Sequence, residues 1–271
     1  MIKLLACDLD GTLIRWFDEK NGLFSQTDIN AITKLNGIDI RFLVNTSRQL
    51  HFLDCFNIPG LLNLDTISGA GCEIRLDGKH FFTSKFTINA TEELISYFKD
   101  VNECQLLAVT NQKRMISTNH KNKRYLRLLN DDIDREYGEI SPILLQNYKF
   151  SEQETVIFFY INTDLDDNKE FYEKIKHDLP NFEVILCSNE AIQITNLGIN
   201  KTSALEKVRN YLKIEKHEIA VIGDSFNDII MFENYPVSFV MRQADSEIQK
   251  YAKHQVESVA EAIQILQKEY L

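Results

Sequence analysis

Ile2-Lys3-Leu4-Leu5-Ala6-Cys7-Asp8-Leu9-Asp10-Gly11-Thr12 joins a short apolar run to two carboxylates and a glycine. A run this short, bounded by turn residues, reads as a buried strand. It delivers Asp8 and Asp10 to the point where the chain must turn. In open α/β sheets that point, outside the carboxyl ends of the strands, is where ligands bind. Two neighbouring acids repel and are costly to desolvate unless a cation joins them. A divalent metal with oxygen ligands is the simplest resolution. Gly11 allows a backbone conformation that a side chain would block. The plainer alternative is a solvated strand-to-loop turn, since Asp and Gly are ordinary turn residues.

The remaining chain supports the sharper reading. Its 271 residues suit two domains, and a hydrophobic share of 44% with 26% charged residues is ordinary for a globular protein. A formal net charge of −10 argues against nucleic acid or an anionic membrane as a general partner. Cys7, Cys55, Cys72, Cys104 and Cys187 show no CxxC spacing and read as buried free thiols of a reducing cytoplasm. No apolar run approaches the ~20 residues needed to span a bilayer. The first run is too short, and too soon followed by acids, to serve as a signal peptide. The expected location is cytoplasmic.

Short apolar strands alternate with helical patterns, as in βαβ units. A helix over 27–35 puts Ile29, Ile32 and Leu35 on one face, and 38–44 reads as a strand closed by Asn45-Thr46-Ser47-Arg48. A strand at 65–68 runs into Gly69-Ala70-Gly71, and Asp77-Gly78 marks a hairpin between 73–75 and 80–82. From about Lys85 the pattern turns α+β: a helix at 90–98, strands at 105–110 and 114–118, and a charged helical stretch at 121–130. A strand at 155–161, a helix at 169–177 and a strand at 182–187 complete this block. The first pattern then resumes with strands at 191–195, 218–222 and 237–241 and helices at 201–212 and 259–266. The expectation is a doubly wound parallel-sheet α/β core from 1–84 and 188–271, with an inserted α+β cap at 85–187.

Further strand ends supply complementary polar groups. Thr46 offers a hydroxyl to an anion or caps a helix, and both can hold because helix N-termini are themselves anion sites. Lys201 opposes the dipole of the helix it opens, so neutralising a phosphoryl oxygen is one reason for it and plain surface exposure the other. Asp224, after Ile219-Ala220-Val221-Ile222-Gly223, is a natural further ligand for a cation held by Asp8, with Asn227 and Asp228 in the next turn. An acidic helix cap is the alternative there.

The order Asp-x-Asp-Gly-Thr, Thr, Lys, Gly-Asp-x-x-Asn-Asp resembles the haloacid dehalogenase superfamily of phosphotransferases. The resemblance covers the whole chain. An insert between the Thr and Lys motifs is similar to the type-two cap of the Cof-like and sucrose-phosphate phosphatases, and Gly71-Cys72-Glu73-Ile74 and Ser188-Asn189-Glu190 loosely resemble the latter. The resemblance implies that Asp8 is the nucleophile that forms an aspartyl-phosphate. It implies that Asp10 protonates the leaving oxygen and later deprotonates the attacking water. It further implies Mg²⁺ held by the Asp8 carboxylate, the Asp10 carbonyl and Asp224, with Asp228 and Asn227 orienting the phosphate and the metal's waters. Thr46, Lys201 and the backbone amides after Asp8, those of Leu9 and Asp10, would cradle the phosphoryl oxygens, with Ser47 and Arg48 beside them. An acid at Asp10 favours hydrolysis or mutase chemistry within the superfamily.

There are departures. Ser47 stands where Cof-like enzymes more often have glycine, and Gln255-Val256-Glu257-Ser258-Val259 replaces their usual Asp-Gly-Val. The expected function is Mg²⁺-dependent hydrolysis of a small phosphorylated metabolite, most plausibly a sugar phosphate, by a monomer or small homo-oligomer. The alternatives are a phosphomutase using the same intermediate and a non-catalytic phospho-ligand-binding module. The insert is expected to select the substrate. Its cluster His120, Lys121, Lys123, Arg124 and Arg127 is either a contact for that substrate or a solvated face.

Overall fold

The structure, a computed structural model, describes residues 1–14, 24–55, 64–101, 104–112, 114–118, 139–141, 143–163, 168–188 and 191–271. Its contacts divide the chain into two units: Met1–Thr46, Asn57–Phe81 and Lys201–Leu271 form the first, Ser47–Phe56 and Phe82–Asn200 the second. Among the described residues no helix is long and apolar enough to cross a membrane.

Numbered along the chain, the strands of the eight-stranded sheet are β1 (Leu4–Cys7), β2 (Arg41–Asn45), β3 (Asp65–Ser68), β4 (Glu73–Leu76), β5 (Lys79–Thr83), β12 (Ile219–Gly223), β13 (Val237–Met241) and β14 (His254–Val256). Their order is β14-β13-β12-β1-β2-β3-β4-β5. All pairings from β14 to β3 are parallel, and β4 returns antiparallel to β3. Strands β1, β3, β12 and β13 are buried throughout, as parallel strands covered on both faces must be. The β4–β5 turn carries Asp77 at φ 52° and Gly78 at φ 71°, the two positive φ values of a tight hairpin.

Among the described residues the helices are α1 (Gln26–Leu35), α2 (Leu50–Cys55), α3 (Ile88–Phe98), α4 (Lys169–Asp178), α5 (Lys201–Leu212), α6 (Ile229–Asn234), α7 (Ser246–Gln249) and α8 (Val259–Glu269). Helix α1 buries Ile29, Ile32 and Leu35, the face read from their spacing, and α5 buries Ala204, Leu205 and Val208. Buried Asp28 of α1 accepts the Ala260 N–H at 2.7 Å and so holds the first turn of α8. The doubly wound α/β reading of the first unit holds.

The second unit is built on six strands in the order β10-β11-β9-β6-β7-β8. They are β6 (Cys104–Thr110), β7 (Arg114–Ser117), β8 (Glu139–Ile140), β9 (Val156–Thr163), β10 (Phe182–Ser188) and β11 (Ala191–Asn196). Pairing is antiparallel except between β7 and β8. The charged stretch at 121–130 and the basic cluster from His120 to Arg127 lie outside the described residues. Cys7 and Cys72 are buried free thiols; Cys104 is buried and Cys187 partly buried.

Two local readings are corrected, and one strand is added. The strand at 191–195 belongs to the six-stranded sheet, where Ile192 sits opposite Leu186 and Ile161. Only two residues separate it from β10, which allows a hairpin and forbids the long crossover that a parallel neighbour needs. The strand expected from Ile38 starts at Arg41, because Asn36–Ile38 forms a 3-10 turn and Asp39 adopts φ 58°. Finally β14, short and with Gln255 exposed, lies beyond β13 and escapes any apolar-run criterion.

Candidate active site

Parallel neighbours β12, β1 and β2 end at one edge, so their last residues meet. The Asp8 N–H donates to Ile222 at 2.9 Å, carrying the β1–β12 pairing one residue past β1. The chain then turns tightly: Ile14 N–H donates to Leu9 at 2.7 Å and Gly11 N–H to Ile14 at 2.9 Å. Gly11 has φ +78°, and a Cβ there would lie 2.1 Å from Asp224 Oδ2. Glycine is thus required twice over, for backbone conformation and for the approach of Asp224. Thr12 Oγ1 donates to Asp224 Oδ1 at 2.9 Å and fixes that carboxylate against the loop.

Lys201, the first residue of α5, is 1% exposed. Its ammonium donates to Asp8 Oδ1 and Asp228 Oδ1, each at 2.6 Å, and to Asn227 Oδ1 at 3.3 Å. Asp228 turns its other oxygen, Oδ2, to the N–H groups of Asp224 and Ser225, both at 3.0 Å. That reciprocal cap closes the 3-10 turn Phe226–Asp228. A Cβ on Gly223 would meet Asp228 Cγ at 2.3 Å, so this glycine makes room for the cap.

Burial and like charge govern the electrostatics. Burial pushes the Asp8 carboxyl well above the usual range; the Lys201 ammonium opposes this, and Asp228 and Asp224 add to it. Asp224 is pushed up to about 7, chiefly by burial and then by Asp228, against the Thr12 hydrogen bond. Burial alone would lower Lys201, yet Asp228 and Asp8 hold it above its ordinary value, so it is a permanent cation.

Three carboxylates therefore face one ammonium. Oxygens of Asp8, Asp224 and Asp228 lie within 4.8 Å of one another. An all-carboxylate donor set with an excess of negative charge fits a hard divalent cation.

Of the residues anticipated from sequence, Asp8, Lys201, Asp224, Asn227 and Asp228 converge in the first unit. Asp10 is half-buried, and its charge is among those that raise Asp224. Leu9 is buried and its carbonyl closes the loop. Thr46 is 1% exposed at the end of β2; its N–H donates to Ile67 at 2.9 Å and its carbonyl accepts from Ala70 at 3.0 Å. Ala70 adopts φ 52° between two positive-φ glycines, a conformation that costs a non-glycine residue about 1 kcal/mol and is kept where a function needs it. Ser47 and Arg48 group with the second unit. There the Ser47 carbonyl accepts from Tyr160 Oη and its hydroxyl from Cys187 Sγ at 3.6 Å. Thr12 was read only as part of its motif; its grip on Asp224 spans 212 residues and has no local signature.

A family model of haloacid dehalogenase-like hydrolases matches residues 5–263. The chain belongs to that family. This haloacid dehalogenase-like hydrolase is a phosphatase. It is 24% identical over 265 residues to the 5-amino-6-(5-phospho-D-ribitylamino)uracil phosphatase YbjI of Escherichia coli, covering 95% of this chain and 91% of that one. It is likewise 24% identical over 255 residues to YcsE of Bacillus subtilis, which bears the same enzyme name, covering 93% and 89%. Among solved structures, the subclass IIB sugar phosphatase BT4131 matches with a TM-score of 0.78 over 98% of both chains, at 15% identity, a likeness of fold.

Proposed function

We propose that this phosphatase hydrolyses a small phosphomonoester of the sugar-phosphate kind through an aspartyl-phosphate on Asp8. The observation that carries the reading is the buried ammonium of Lys201, 2.6 Å from Asp8 Oδ1 and from Asp228 Oδ1, two members of the cluster Asp8, Asp224 and Asp228. A nucleophilic carboxylate and an anionic phosphate repel, and phosphoryl transfer is accelerated chiefly by positioning and charge neutralisation. Lys201 supplies a fixed positive charge at the reacting oxygen. The polyol and sugar phosphates named for YbjI, YcsE and BT4131 support the substrate class.

Asp8 attacks phosphorus, forming an oxygen–phosphorus bond as the ester oxygen departs. Asp10 gives its proton to that oxygen, then takes one from the water that cleaves the acyl phosphate. Asp10 suits the task because it is half-buried and stands two residues from Asp8 at the exit of β1. Thr46 and the Leu9 and Asp10 amides receive the phosphoryl oxygens, and Asn227 and Asp228 keep Lys201 aimed. Asp8, Asp224, Asp228 and the Asp10 carbonyl are the groups that would hold Mg²⁺. Such an ion supplies further neutralisation of charge on the phosphoryl group.

The test is a panel of phosphorylated sugars, nucleotides and cofactors with and without Mg²⁺, reading released inorganic phosphate. Release from at least one sugar or polyol phosphate is expected, lost in Asp8→Asn and reduced at least about a hundredfold in Asp10→Asn. Isomerised substrate without phosphate release would instead indicate a mutase, and full activity in Asp10→Asn would remove the proposed acid.

A further inference from the structure

Asn45 is out of character with its strand. It follows Phe42-Leu43-Val44, is wholly buried, and ends β2 immediately before Thr46. Its Nδ2 donates to the Lys201 carbonyl at 3.2 Å and lies 3.2 Å from Met231 Sδ. The carbonyl accepts only, so it fixes which end of the amide is nitrogen. The other end, Oδ1, has no hydrogen-bond partner among the described residues.

A buried polar group left half satisfied costs stability relative to an aliphatic side chain of similar size. Something other than stability retains it. The three elements that meet at this amide are those that carry the phosphate-handling groups. Strand β2 leads into Thr46, α5 begins with Lys201, and Met231 lies one turn beyond Asp228 in α6. The Lys201 side chain is held at its tip by Asp8 and Asp228, and Asn45 holds its backbone.

We propose that Asn45 is a positioning residue: its amide locks the backbone of Lys201 to the end of β2 and so sets the spacing between the Lys201 ammonium and Thr46. The proposal rests on the phosphatase reading of the Asp8 site. Asn45 acts through Lys201, and its removal misplaces a charge without removing one. A shift on the order of 1 Å in a group that must meet a transition state can cost about a hundredfold in rate.

The test uses Asn45→Val, which fills the space with a strand-favouring apolar side chain, and Asn45→Ala, which leaves it open. Three quantities are read: turnover of p-nitrophenyl phosphate, calorimetric affinity for inorganic phosphate with Mg²⁺ present, and thermal midpoint. In Asn45→Val, kcat should fall about tenfold and phosphate should bind at least roughly threefold more weakly, while the thermal midpoint is equal to or above the parent's. Loss of function without loss of stability is the signature, and a merely structural asparagine would not show it. Unchanged kcat and phosphate affinity in both variants overturn the proposal. So does an activity loss that follows a fall in thermal midpoint in both. Should the parent bind phosphate yet turn over no ester, the phosphatase reading fails alone, and the affinity comparison still decides the role of Asn45.

Discussion

Strands β1 and β12 are parallel neighbours, and each hands over to an acid with a glycine within three residues, but the two exits divide their work differently. After β1 the loop is closed by its own backbone, Leu9 with Ile14 and Gly11 with Ile14. Asp8 takes no part in that closure, and its carboxylate is engaged by Lys201. After β12 the turn is closed by a side chain: Asp228 spends Oδ2 on two backbone N–H groups and Oδ1 on Lys201. One exit leaves its acid out of the turn's closure, and the other commits an acid to it. The same pair of residue types thus serves as the proposed reagent or as brace, according to where the backbone donors of the turn find acceptors.

Substitution separates these duties. The largest effect is expected at Gly11→Ala, whose Cβ would lie 2.1 Å from Asp224 Oδ2 at a φ that alanine disfavours. Turnover should fall at least about a hundredfold, read with a saturating phosphomonoester, because Asp224 and the loop must part. A variant with parental turnover would show that the β1 exit tolerates displacement of Asp224.

Asp228→Asn comes next and acts on the brace. It removes one of the two carboxylates on the buried Lys201 ammonium and weakens the cap over Asp224 and Ser225. Stability measured by urea unfolding should drop by about 3 kcal/mol, as when one partner of a buried ion pair is deleted. A drop no larger than that of a surface substitution would mean that Asp8 alone satisfies Lys201.

The smallest effect is expected at Thr12→Val, which joins the two exits. Losing one hydrogen bond to Asp224 should cost about 1 kcal/mol, or roughly fivefold in turnover, with little change in unfolding midpoint. Equal losses in Thr12→Val and Gly11→Ala would show that the hydroxyl, and not the loop conformation, sets Asp224.

Much of this was legible before any coordinates. Leu4–Cys7 and Ile219–Gly223 announce themselves as short apolar runs closed by acid and glycine, and the residues that converge on Lys201 lie at such punctuation marks. What was not legible is non-local. β11 looks like any core strand until its two-residue link to β10 is weighed, and β14 is too short and too polar to register. No pattern within a window of a dozen residues could pair Thr12 with Asp224 or Asn45 with the Lys201 carbonyl. The insert's register is read poorly for the same reason, since antiparallel partners such as Leu106 and Ile161 are far apart along the chain.

The position of β1 has a consequence for biosynthesis. It is made well before β12, one of its two neighbours in the sheet, and the carboxylate of Asp28 waits for the backbone of Ala260. Pairings this distant along the chain are slow to form. In the proposed mechanism Asp8 becomes a reagent only when Lys201 and the Gly223–Asp228 turn have emerged from the ribosome, so a product terminated before them would carry the proposed nucleophile and catalyse nothing.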